Sequence, residues 1–334
     1  MKKKIQNKKV LITGIDGFVG NHLAAHLLTM GYSIVGLDID IQQSDRLLRS
    51  DTNTRDLVEL VDGDLRDGEK INELFADSNY ELVFHLAAQS SVKLSFENPA
   101  ETFDINVNGT LNLLEAISRL ETPPKTLVVS SSEIYGQLAL EQVPVTEDAP
   151  LRPVNPYAVS KATVDLLAYQ YWKAYNLPIY IARAFSHSGP GQRTVAVLSD
   201  WAFQTAKTEL GLRPAEIEVG NMEVTRDYTD VRDIVDAYML ILEKGQPGQA
   251  YNTCTGIGYK ISDLLHIITS FSTKKIKTIP DPSRYRPVDI PILIGSPEKL
   301  KTETGWKPKI AIEQTLKDLY NSWMDFLKPQ IEKD

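Results

Sequence analysis

The sequence contains a single cysteine, Cys254, among its 334 residues. One thiol excludes an intramolecular disulfide framework and a cysteine-rich metal site, which fits a reducing compartment. Long apolar runs are also missing: no stretch reaches the ~20 apolar residues that a membrane-spanning helix needs. The apolar run 10–12 behind the basic N-terminus is too short for the core of a signal peptide. We therefore expect a cytoplasmic protein without a membrane segment.

The chain also lacks an excess of positive charge. Its formal net charge is −8 at pH 7, which disfavours nucleic acid or an anionic membrane surface as a partner. Hydrophobic residues make up 42% of the chain and charged residues 24%, a composition typical of soluble globular proteins. The length fits two domains or one large domain.

A glycine-rich turn follows the first predicted strand, Lys9–Thr13, and precedes a predicted helix over Asn21–Met30. This order is that of a dinucleotide-binding loop, because glycines let the backbone approach a pyrophosphate and the helix N-terminus offers free N–H groups. The glycine spacing is G-x-x-G-x-x-G, and the alternative interpretation is a structural turn. The residues assigned to the cofactor in this turn are Gly14, Asp16, Gly17, Phe18, Val19 and Gly20.

The second predicted strand, Ser33–Leu37, ends at Asp38. A carboxylate at this position accepts hydrogen bonds from the adenosine ribose hydroxyls and repels a 2′-phosphate. It therefore slightly favours NADH over NADPH as the cofactor, NAD(P)H. Arg46 leaves NADPH as an alternative cofactor. The alternative role for Asp38 is that of a turn residue at the end of the strand.

Two more predicted strands end in candidate cofactor contacts. The strand Leu57–Val61 leads to Asp64 and Leu65, and Asp64 is assigned to the adenine edge or, alternatively, to a turn. The strand Glu81–His85 is followed by small residues that allow close approach of a flat cofactor, and His85 itself is expected to be structural. The cofactor contacts assigned to this second strand end are Leu86, Ala87 and Ala88.

The fifth predicted strand, Lys125–Val129, is preceded by a predicted helix, Thr102–Leu120. That helix carries Asn106, for which we expect a surface position, the alternative being a hydrogen bond near the site. Three hydroxyls and a carboxylate follow the strand, where ligands bind in doubly wound sheets. These residues are Ser130, Ser131, Ser132 and Glu133.

Tyr157 and Lys161 are four residues apart in a stretch that begins at Asn155. Asn155 is expected to cap a helix that runs to about Tyr175, with Pro156 in its first turn. Residues four apart share one helix face, so the ammonium is expected to lower the tyrosine pKa from about 10. Tyr157 is therefore a candidate general acid or base. The alternative is a packed ring beside a solvated charge.

Alternation of strands and helices continues to a sixth predicted strand, Pro178–Arg183, which predicts an α/β fold with a Rossmann-type doubly wound parallel sheet. Beyond it the alternation loosens. We assign residues 1–185 to a dinucleotide-binding domain with a returning segment around 226–255. Residues 186–225 and 256–334 are assigned to a smaller substrate-binding lobe. Helices are predicted in this later part over Thr194–Lys207, Ile261–Phe271 and Ile312–Phe326, and a short strand at Glu216–Val219. A further helix is predicted to follow Asp233 and to end at about Leu242.

Taken together, these motifs resemble the extended short-chain dehydrogenase/reductase family over almost the whole chain. Within that family the sequence is similar to the GDP-sugar branch, which holds GDP-mannose 4,6-dehydratases and GDP-4-keto-6-deoxymannose reductases. The segments that carry the family resemblance are Gly14-x-x-Gly17-x-x-Gly20, His85-Leu-Ala-Ala88, Ser130-Ser-Ser-Glu-Ile-Tyr-Gly136, Tyr157-x-x-x-Lys161 and Arg226-Asp-Tyr-Thr-Asp-Val-Arg-Asp233. Those similar to the reductases of the branch are Arg183-Ala-Phe-Ser-His187-x-Gly-Pro190, Gly220-Asn-Met-Glu-x-x-Arg-Asp-Tyr228 and Arg286-Pro-Val-Asp-Ile-Pro291.

The resemblance implies roles for these residues. Tyr157 is implied as the general acid, Lys161 as the group that binds the nicotinamide ribose and lowers the tyrosine pKa, and Ser131 as a hydrogen-bond donor to the sugar O4. Glu133 matches the catalytic glutamate of the dehydratases. Relatives usually carry Asn at the position of Ser186. The residues assigned to substrate binding are Ser132, Glu133, Ser186, Arg193, Arg226 and Arg286, with surface salt bridges as the alternative for Arg226 and Arg286.

The leading interpretation from this resemblance is NAD(P)H-dependent reduction of the C4 keto group of a GDP-4-keto-6-deoxyhexose, giving a GDP-6-deoxyhexose such as GDP-D-rhamnose. A GDP-mannose 4,6-dehydratase, a nucleotide-sugar 4-epimerase and a non-catalytic dinucleotide sensor are the alternatives. The resemblance also implies a homodimer that pairs the helices Thr102–Leu120 and Pro156–Tyr175. Leu166, Leu167 and Trp172 are its candidate apolar patch, with inward packing as the alternative.

Overall fold

The computed structural model describes residues 8–39, 57–76, 79–285 and 288–331. The predicted Arg46 and Arg286 lie outside these described residues. The strands are β1 (Lys9–Thr13), β2 (Ser33–Asp38), β3 (Val58–Asp62), β4 (Tyr80–His85), β5 (Lys125–Ser131), β6 (Ile179–Ala184), β7 (Ser186–Ser188), β8 (Glu216–Val219), β9 (Thr225–Asp230), β10 (Ala250–Thr253), β11 (Gly258–Lys260), β12 (Lys277–Pro280) and β13 (Ile292–Leu293). The helices are α1 (Phe18–Met30), α2 (Gly68–Ala76), α3 (Val92–Glu97), α4 (Pro99–Phe103), α5 (Gly109–Ser118), α6 (Pro156–Tyr175), α7 (Val197–Glu209), α8 (Val231–Lys244), α9 (Ile261–Thr269), α10 (Glu298–Thr304) and α11 (Ile312–Ile331).

The largest sheet has seven strands in the order β10-β6-β5-β4-β1-β2-β3, and its neighbouring strands are parallel. The strand order reverses between β1 and β4, which is the switch point where ligands bind in doubly wound sheets. The predicted α/β class with a Rossmann-type parallel sheet is confirmed. Because all seven strands run the same way, their carboxyl ends meet at one edge, where the glycine turn and residues 131–133 lie.

Successive residues of β1 face opposite sides of this sheet. Val10 and Ile12 join a core cluster with side chains of α1 and α8, such as Leu23 and Ile234. Leu11, between them, joins the opposite cluster, which includes side chains of α2, α5 and α6. Burial on both faces explains why these parallel strands read as nearly continuous apolar runs.

The later part of the chain builds a second core. There β9 pairs with β7, β11 and β13, and β8 pairs with β12. Helices α7, α9 and α11 pack a separate cluster that includes Trp201, Leu264, Leu316 and Trp323. The division into two lobes at the boundaries given above stays a prediction. No helix among residues 8–39, 57–76, 79–285 and 288–331 is long and apolar enough to cross a membrane.

Strand and helix boundaries agree with the predictions to within a few residues except in the region before β5. The helix predicted over Thr102–Leu120 is confirmed as a continuous helical stretch, but it contains a π-helical turn at Asp104–Asn108 between α4 and α5, which the sequence does not predict. A Cβ atom at Gly109 would lie only 2.9 Å from the Cβ atom of Leu65. The extra residue of the π turn reorients the chain there, as such insertions do near functional sites.

Candidate active site

The three proposed catalytic side chains come from β5 and α6, which pack against each other. Ser131 is the last residue of β5, and Tyr157 and Lys161 lie one turn apart on α6. The predicted cap is confirmed, since the Oδ1 atom of Asn155 accepts a hydrogen bond from the Ala158 N–H at 2.8 Å and Pro156 occupies the first turn. The cap fixes where α6 begins and therefore which residues face β5.

The Lys161 ammonium lies under the end of β5. Its Nζ atom donates a hydrogen bond to the carbonyl oxygen of Val129 at 2.5 Å. Burial lowers the pKa of Lys161 to about 8, while the negative charge of Asp165 acts in the opposite direction. A buried lysine with this pKa changes its charge within the working range of an enzyme.

The hydroxyl of Tyr157 has a raised pKa instead of the lowered pKa that the sequence predicts. Burial is the largest cause and brings the pKa to about 12; the hydrogen bond of Ser131 lowers it and the charge of Glu133 raises it. Desolvation disfavours the charged phenolate, and in this structure it is the largest influence on the Tyr157 pKa. Tyr157 is therefore a protonated donor at neutral pH.

Glu133 lies in the 3₁₀ turn Ser132–Tyr135, directly after Ser131. Its backbone N–H donates to the Ser131 Oγ atom at 3.2 Å, and its carboxylate accepts a hydrogen bond from the Asn155 side chain at 3.1 Å. The same asparagine caps α6. The Glu133 carboxylate thus stabilises the start of the helix that carries Tyr157.

The glycine turn forms a narrow cradle at the carboxyl end of β1. Gly14 has a left-handed φ of +75°, and a Cβ atom there would lie 2.7 Å from the backbone nitrogen of Ala87. A Cβ atom at Gly20 would collide with the carbonyl oxygen of Gly14. Gly17 caps α1 and has no side chain to satisfy the first helical N–H groups. A side chain at Gly14 or Gly20 would collide with neighbouring backbone, so glycine at these two positions keeps the turn packed tightly between β1 and α1.

The other predicted cofactor contacts surround this cradle. Phe18 and Val19 form the first turn of α1 with Gly20, while Leu86 and Ala88 are half-buried beside Ala87. Asp38 accepts a hydrogen bond from the Asp16 N–H at 2.8 Å, so its carboxylate faces the turn. Asp64 instead pairs with the Arg66 guanidinium at 2.6 Å, an arrangement that fits its alternative role in a turn.

Leu65, next to Asp64, is buried against α5 in the core cluster. The structural role expected of His85 agrees with its position. Its Nδ1 and Nε2 atoms each lie 2.8 Å from a threonine hydroxyl, Thr13 and Thr110. Burial lowers its pKa to about 3, so the ring is neutral.

The expected surface position of Asn106 is wrong, because Asn106 is buried. Its side chain accepts from the Gln89 N–H at 2.8 Å and donates to the Gln89 carbonyl and to the Ser160 hydroxyl. The π turn aims this amide inward, which a regular helical pattern does not predict. Asn106 thereby joins the segment after β4 to α6.

The predicted substrate residues occupy different environments. Ser186 starts β7 and pairs in register with Tyr228 of β9, Ser132 is buried next to Ser131, and Arg193 is exposed. Arg226 on β9 is not a surface residue: it is buried and forms an ion pair with Asp289 at 2.8 Å. Ser186 and Arg226 therefore lie on neighbouring strands, two register positions apart.

The sequence interpretation missed one residue that acts on the site. Asp165 is buried one turn beyond Lys161 on α6, and its carboxylate binds the Arg183 guanidinium of β6. The signal was available, because Tyr157, Lys161 and Asp165 repeat the spacing of four that places side chains on one helix face. The partner on β6 is not readable from that spacing.

The sequence and fold also match known proteins. The family model described as GDP-mannose 4,6 dehydratase matches residues 11–319. A Pseudomonas aeruginosa protein named GDP-6-deoxy-D-mannose reductase is 33% identical over 316 residues, covering 95% of this chain and 97% of that protein. A Vibrio cholerae GDP-mannose 4,6-dehydratase is 28% identical, covering 92% of this chain and 91% of its own length.

Among solved structures, RMD from Pseudomonas aeruginosa complexed with NADPH superimposes with a TM-score of 0.83 at 32% identity, covering 96% of this chain and 100% of that one. The family model spans most of the chain, and the reductase is 33% identical to it over almost the full length of both proteins. The family expected from the motifs is confirmed. The chain belongs to the GDP-mannose 4,6-dehydratase family of extended short-chain dehydrogenases/reductases.

Proposed function

We propose that the protein is an NAD(P)H-dependent reductase that converts the C4 keto group of a GDP-4-keto-6-deoxyhexose to an alcohol, giving a GDP-6-deoxyhexose such as GDP-D-rhamnose. The observation that carries the proposal is the placement of the Tyr157 hydroxyl, which α6 holds within hydrogen-bond reach of Ser131 at the end of β5. Reduction of a ketone requires a proton donor at its oxygen. The Pseudomonas aeruginosa relative bears the name of this activity.

The glycine cradle fits a dinucleotide cofactor. The first N–H groups of α1 receive no side-chain cap and are available to a pyrophosphate, and glycines at 14 and 20 let the turn pack closely against the adjacent backbone. Asp38 would hold the adenosine ribose, which favours NADH slightly over NADPH. Lys161 would hold the nicotinamide ribose. When bound, a reduced nicotinamide supplies a hydride to the C4 carbon.

The residues of the chain complete the reaction at the sugar O4. The Ser131 Oγ atom accepts the Glu133 N–H, so its own proton is available to a substrate oxygen. Tyr157 donates its proton to O4 as negative charge develops there, and Ser131 stabilises the same charge by a hydrogen bond. The Lys161 ammonium, one turn away, then favours the resulting phenolate until a proton from water restores the hydroxyl.

The dehydratase is the second candidate, because Glu133 stands where dehydratases carry their catalytic glutamate. The identities favour the reductase: the protein named GDP-6-deoxy-D-mannose reductase is 33% identical to this chain and the Vibrio cholerae protein named GDP-mannose 4,6-dehydratase 28%. In this structure the Glu133 carboxylate accepts a hydrogen bond from Asn155, the cap of α6.

The test uses GDP-mannose and GDP-4-keto-6-deoxymannose in separate reactions with NADH or NADPH. We expect loss of reduced-nicotinamide absorbance with the keto sugar only, one equivalent per product. Conversion of GDP-mannose to a keto sugar without consumption of reduced cofactor establishes a dehydratase instead. Epimerised product without net oxidation indicates a 4-epimerase, and binding without turnover of any sugar indicates a sensor.

Glu133→Gln separates the two main candidates further. A glutamine keeps an oxygen that can accept the Asn155 hydrogen bond but is not a base. A reductase is expected to retain its rate within about tenfold, whereas loss of a general base typically costs ~10² to 10⁴ in rate. The matched control is Glu141→Gln, an exposed residue of the loop that follows the same turn.

We also infer that two copies of the chain associate through α5 and α6. Leu167 and Trp172 pack partly inward against the sheet core, so they do not form the expected patch. Leu166 remains, 60% exposed on α6, together with Tyr169 and Val159. These three apolar side chains of one helix are the surface proposed for the partner copy.

A further inference from the structure

Two aromatic side chains of α1 touch the segment that leads from β7 to α7. Phe18 and His22 are one turn apart, and their rings meet edge to face with centroids 5.4 Å apart. The Phe18 ring also stacks on His187, at 6.1 Å between centroids and 9° between planes. The His22 Nε2 atom lies 2.9 Å from the carbonyl oxygen of Pro190. A carbonyl only accepts, so Nε2 carries the hydrogen.

The contacted segment, residues 186–193, is braced internally. Gln192 accepts a hydrogen bond from the Ser188 hydroxyl at 2.6 Å and donates one to the His187 carbonyl at 3.0 Å. The Gln192 carbonyl in turn accepts from the Ser199 hydroxyl on α7. These hydrogen bonds join the residues of the segment, so we expect a ligand that fixes one end of it to fix the other end as well.

The two ends of these contacts belong to different binding regions. Phe18 lies in the glycine turn assigned to the dinucleotide, and the 186–193 segment contains Ser186 and Arg193, assigned to the nucleotide-sugar. Ser186 also pairs with the strand that carries Arg226. When a ligand orders one region, these contacts also order the other region. The second ligand then loses less conformational entropy on binding, which is the condition for positive coupling between the two ligands.

We propose that Phe18 and His22 are positioning residues that couple dinucleotide binding at the glycine turn to binding of the nucleotide diphosphate part of the sugar substrate at the 186–193 segment. The proposal rests on the proposed function for the identity of the two ligands. Neither residue has to touch the sugar. Burial lowers the pKa of both His22 and His187 below the usual 6.5, so both rings are neutral at pH 7.

The experiment measures coupling by calorimetry with the full chain. NADH and NADPH are titrated separately, each with and without saturating GDP, and the ratio of the two Kd values is the coupling factor. For the wild type we expect saturating GDP to lower the dinucleotide Kd at least about fivefold, the lower end of typical coupling factors. By reciprocity, titration of GDP with and without the dinucleotide gives the same factor.

His22→Leu removes the hydrogen bond to Pro190, and we expect its coupling factor to fall towards one. His22→Gln retains an N–H donor and is expected to restore part of the coupling. His26→Leu, one turn further along α1 and next to Asp236, is the matched control and keeps the wild-type factor. If His22→Leu does not fold, Phe18→Leu removes the stack on His187 and takes its place.

A wild-type factor near one, or an unchanged factor in the folded His22→Leu and Phe18→Leu proteins, overturns the coupling while leaving the proposed function intact. A purely structural role for His22 lowers Tm without changing the ratio, and that result also counts against the proposal. Failure of the wild type to bind GDP at all is a different outcome. It refutes the proposed GDP-sugar substrate and, with it, the ligand on which this inference rests.

Discussion

The carboxylate of Asp165 on α6 accepts two hydrogen bonds from the Arg183 guanidinium on β6, at 2.9 and 3.0 Å. The side chains are only 5% and 9% exposed. The same guanidinium donates to the Tyr135 hydroxyl at 3.0 Å and to the Glu147 carbonyl at 2.7 Å. The pair ties the helix that carries Tyr157 to the central sheet, one turn beyond Lys161.

Breaking this ion pair is expected to destabilise the protein strongly. Arg183→Met leaves the Asp165 carboxylate buried without its partner, and removal of one member of a buried pair typically costs ~3–5 kcal/mol. Urea denaturation measures the free energy of unfolding. Arg119→Met breaks an exposed pair with Glu115, for which ~0–1 kcal/mol is expected. An equal decrease in the free energy of unfolding of the two variants would contradict the importance of the buried pair.

The pKa of Lys161, about 8, predicts a pH limit on activity. Burial disfavours the ammonium, so the charge is present below about pH 8 and is lost above it, and kcat/KM is expected to fall as pH rises through this value. Asp165→Asn removes the charge that raises this pKa, so the fall is expected at lower pH. A fall only near pH 10, as for an exposed lysine, would argue against Lys161 as the titrating group.

Tyr157→Phe removes the proton donor but keeps the ring. We expect kcat to fall by ~10² to 10⁴, the usual contribution of a general acid, with little change in dinucleotide Kd. Tyr169→Phe is the control, because Tyr169 lies on the same helix and is exposed. Turnover of Tyr157→Phe close to that of the wild type would refute the assignment.

Asp38 is expected to set the preference between the two cofactors. Its carboxylate faces the glycine turn and would lie against a 2′-phosphate, so the wild type should bind NADH more tightly than NADPH. Asp38→Ala is expected to narrow or reverse the difference, since the repulsion is gone. Fluorescence titration gives the Kd values, and a wild-type preference for NADPH would contradict the prediction.

Leu166→Lys is expected to weaken the proposed dimer, because it places a charge in the centre of the apolar face of α6. Light scattering at micromolar concentration should show twice the 37.4 kDa mass for the wild type and a smaller average mass for the variant. Leu140→Lys, in an exposed 3₁₀ turn, is the control. A wild type that scatters only as a monomer would refute the dimer.

Local sequence patterns are sufficient to predict the parallel sheet, the glycine turn and the shared helix face of Tyr157 and Lys161. These features depend on local periodicity: buried parallel strands give apolar runs, a turn with φ of +75° at Gly14 requires glycine, and residues four apart share a helix face. The Asn155 cap was also readable, because capping depends only on neighbouring backbone groups.

How these parts act depends on contacts between segments that are distant in the chain. The direction of the Tyr157 pKa depends on desolvation by distant segments, so the spacing of Lys161 predicted the wrong sign. The burial of Asn106 depends on a π turn. The ion-pair partner of Arg226, Asp289, is 63 positions away in the chain. The contact of His22 with Pro190 spans 168 positions. Side chains so far apart meet only because the sheet order and helix packing bring them together, and no local pattern encodes that order.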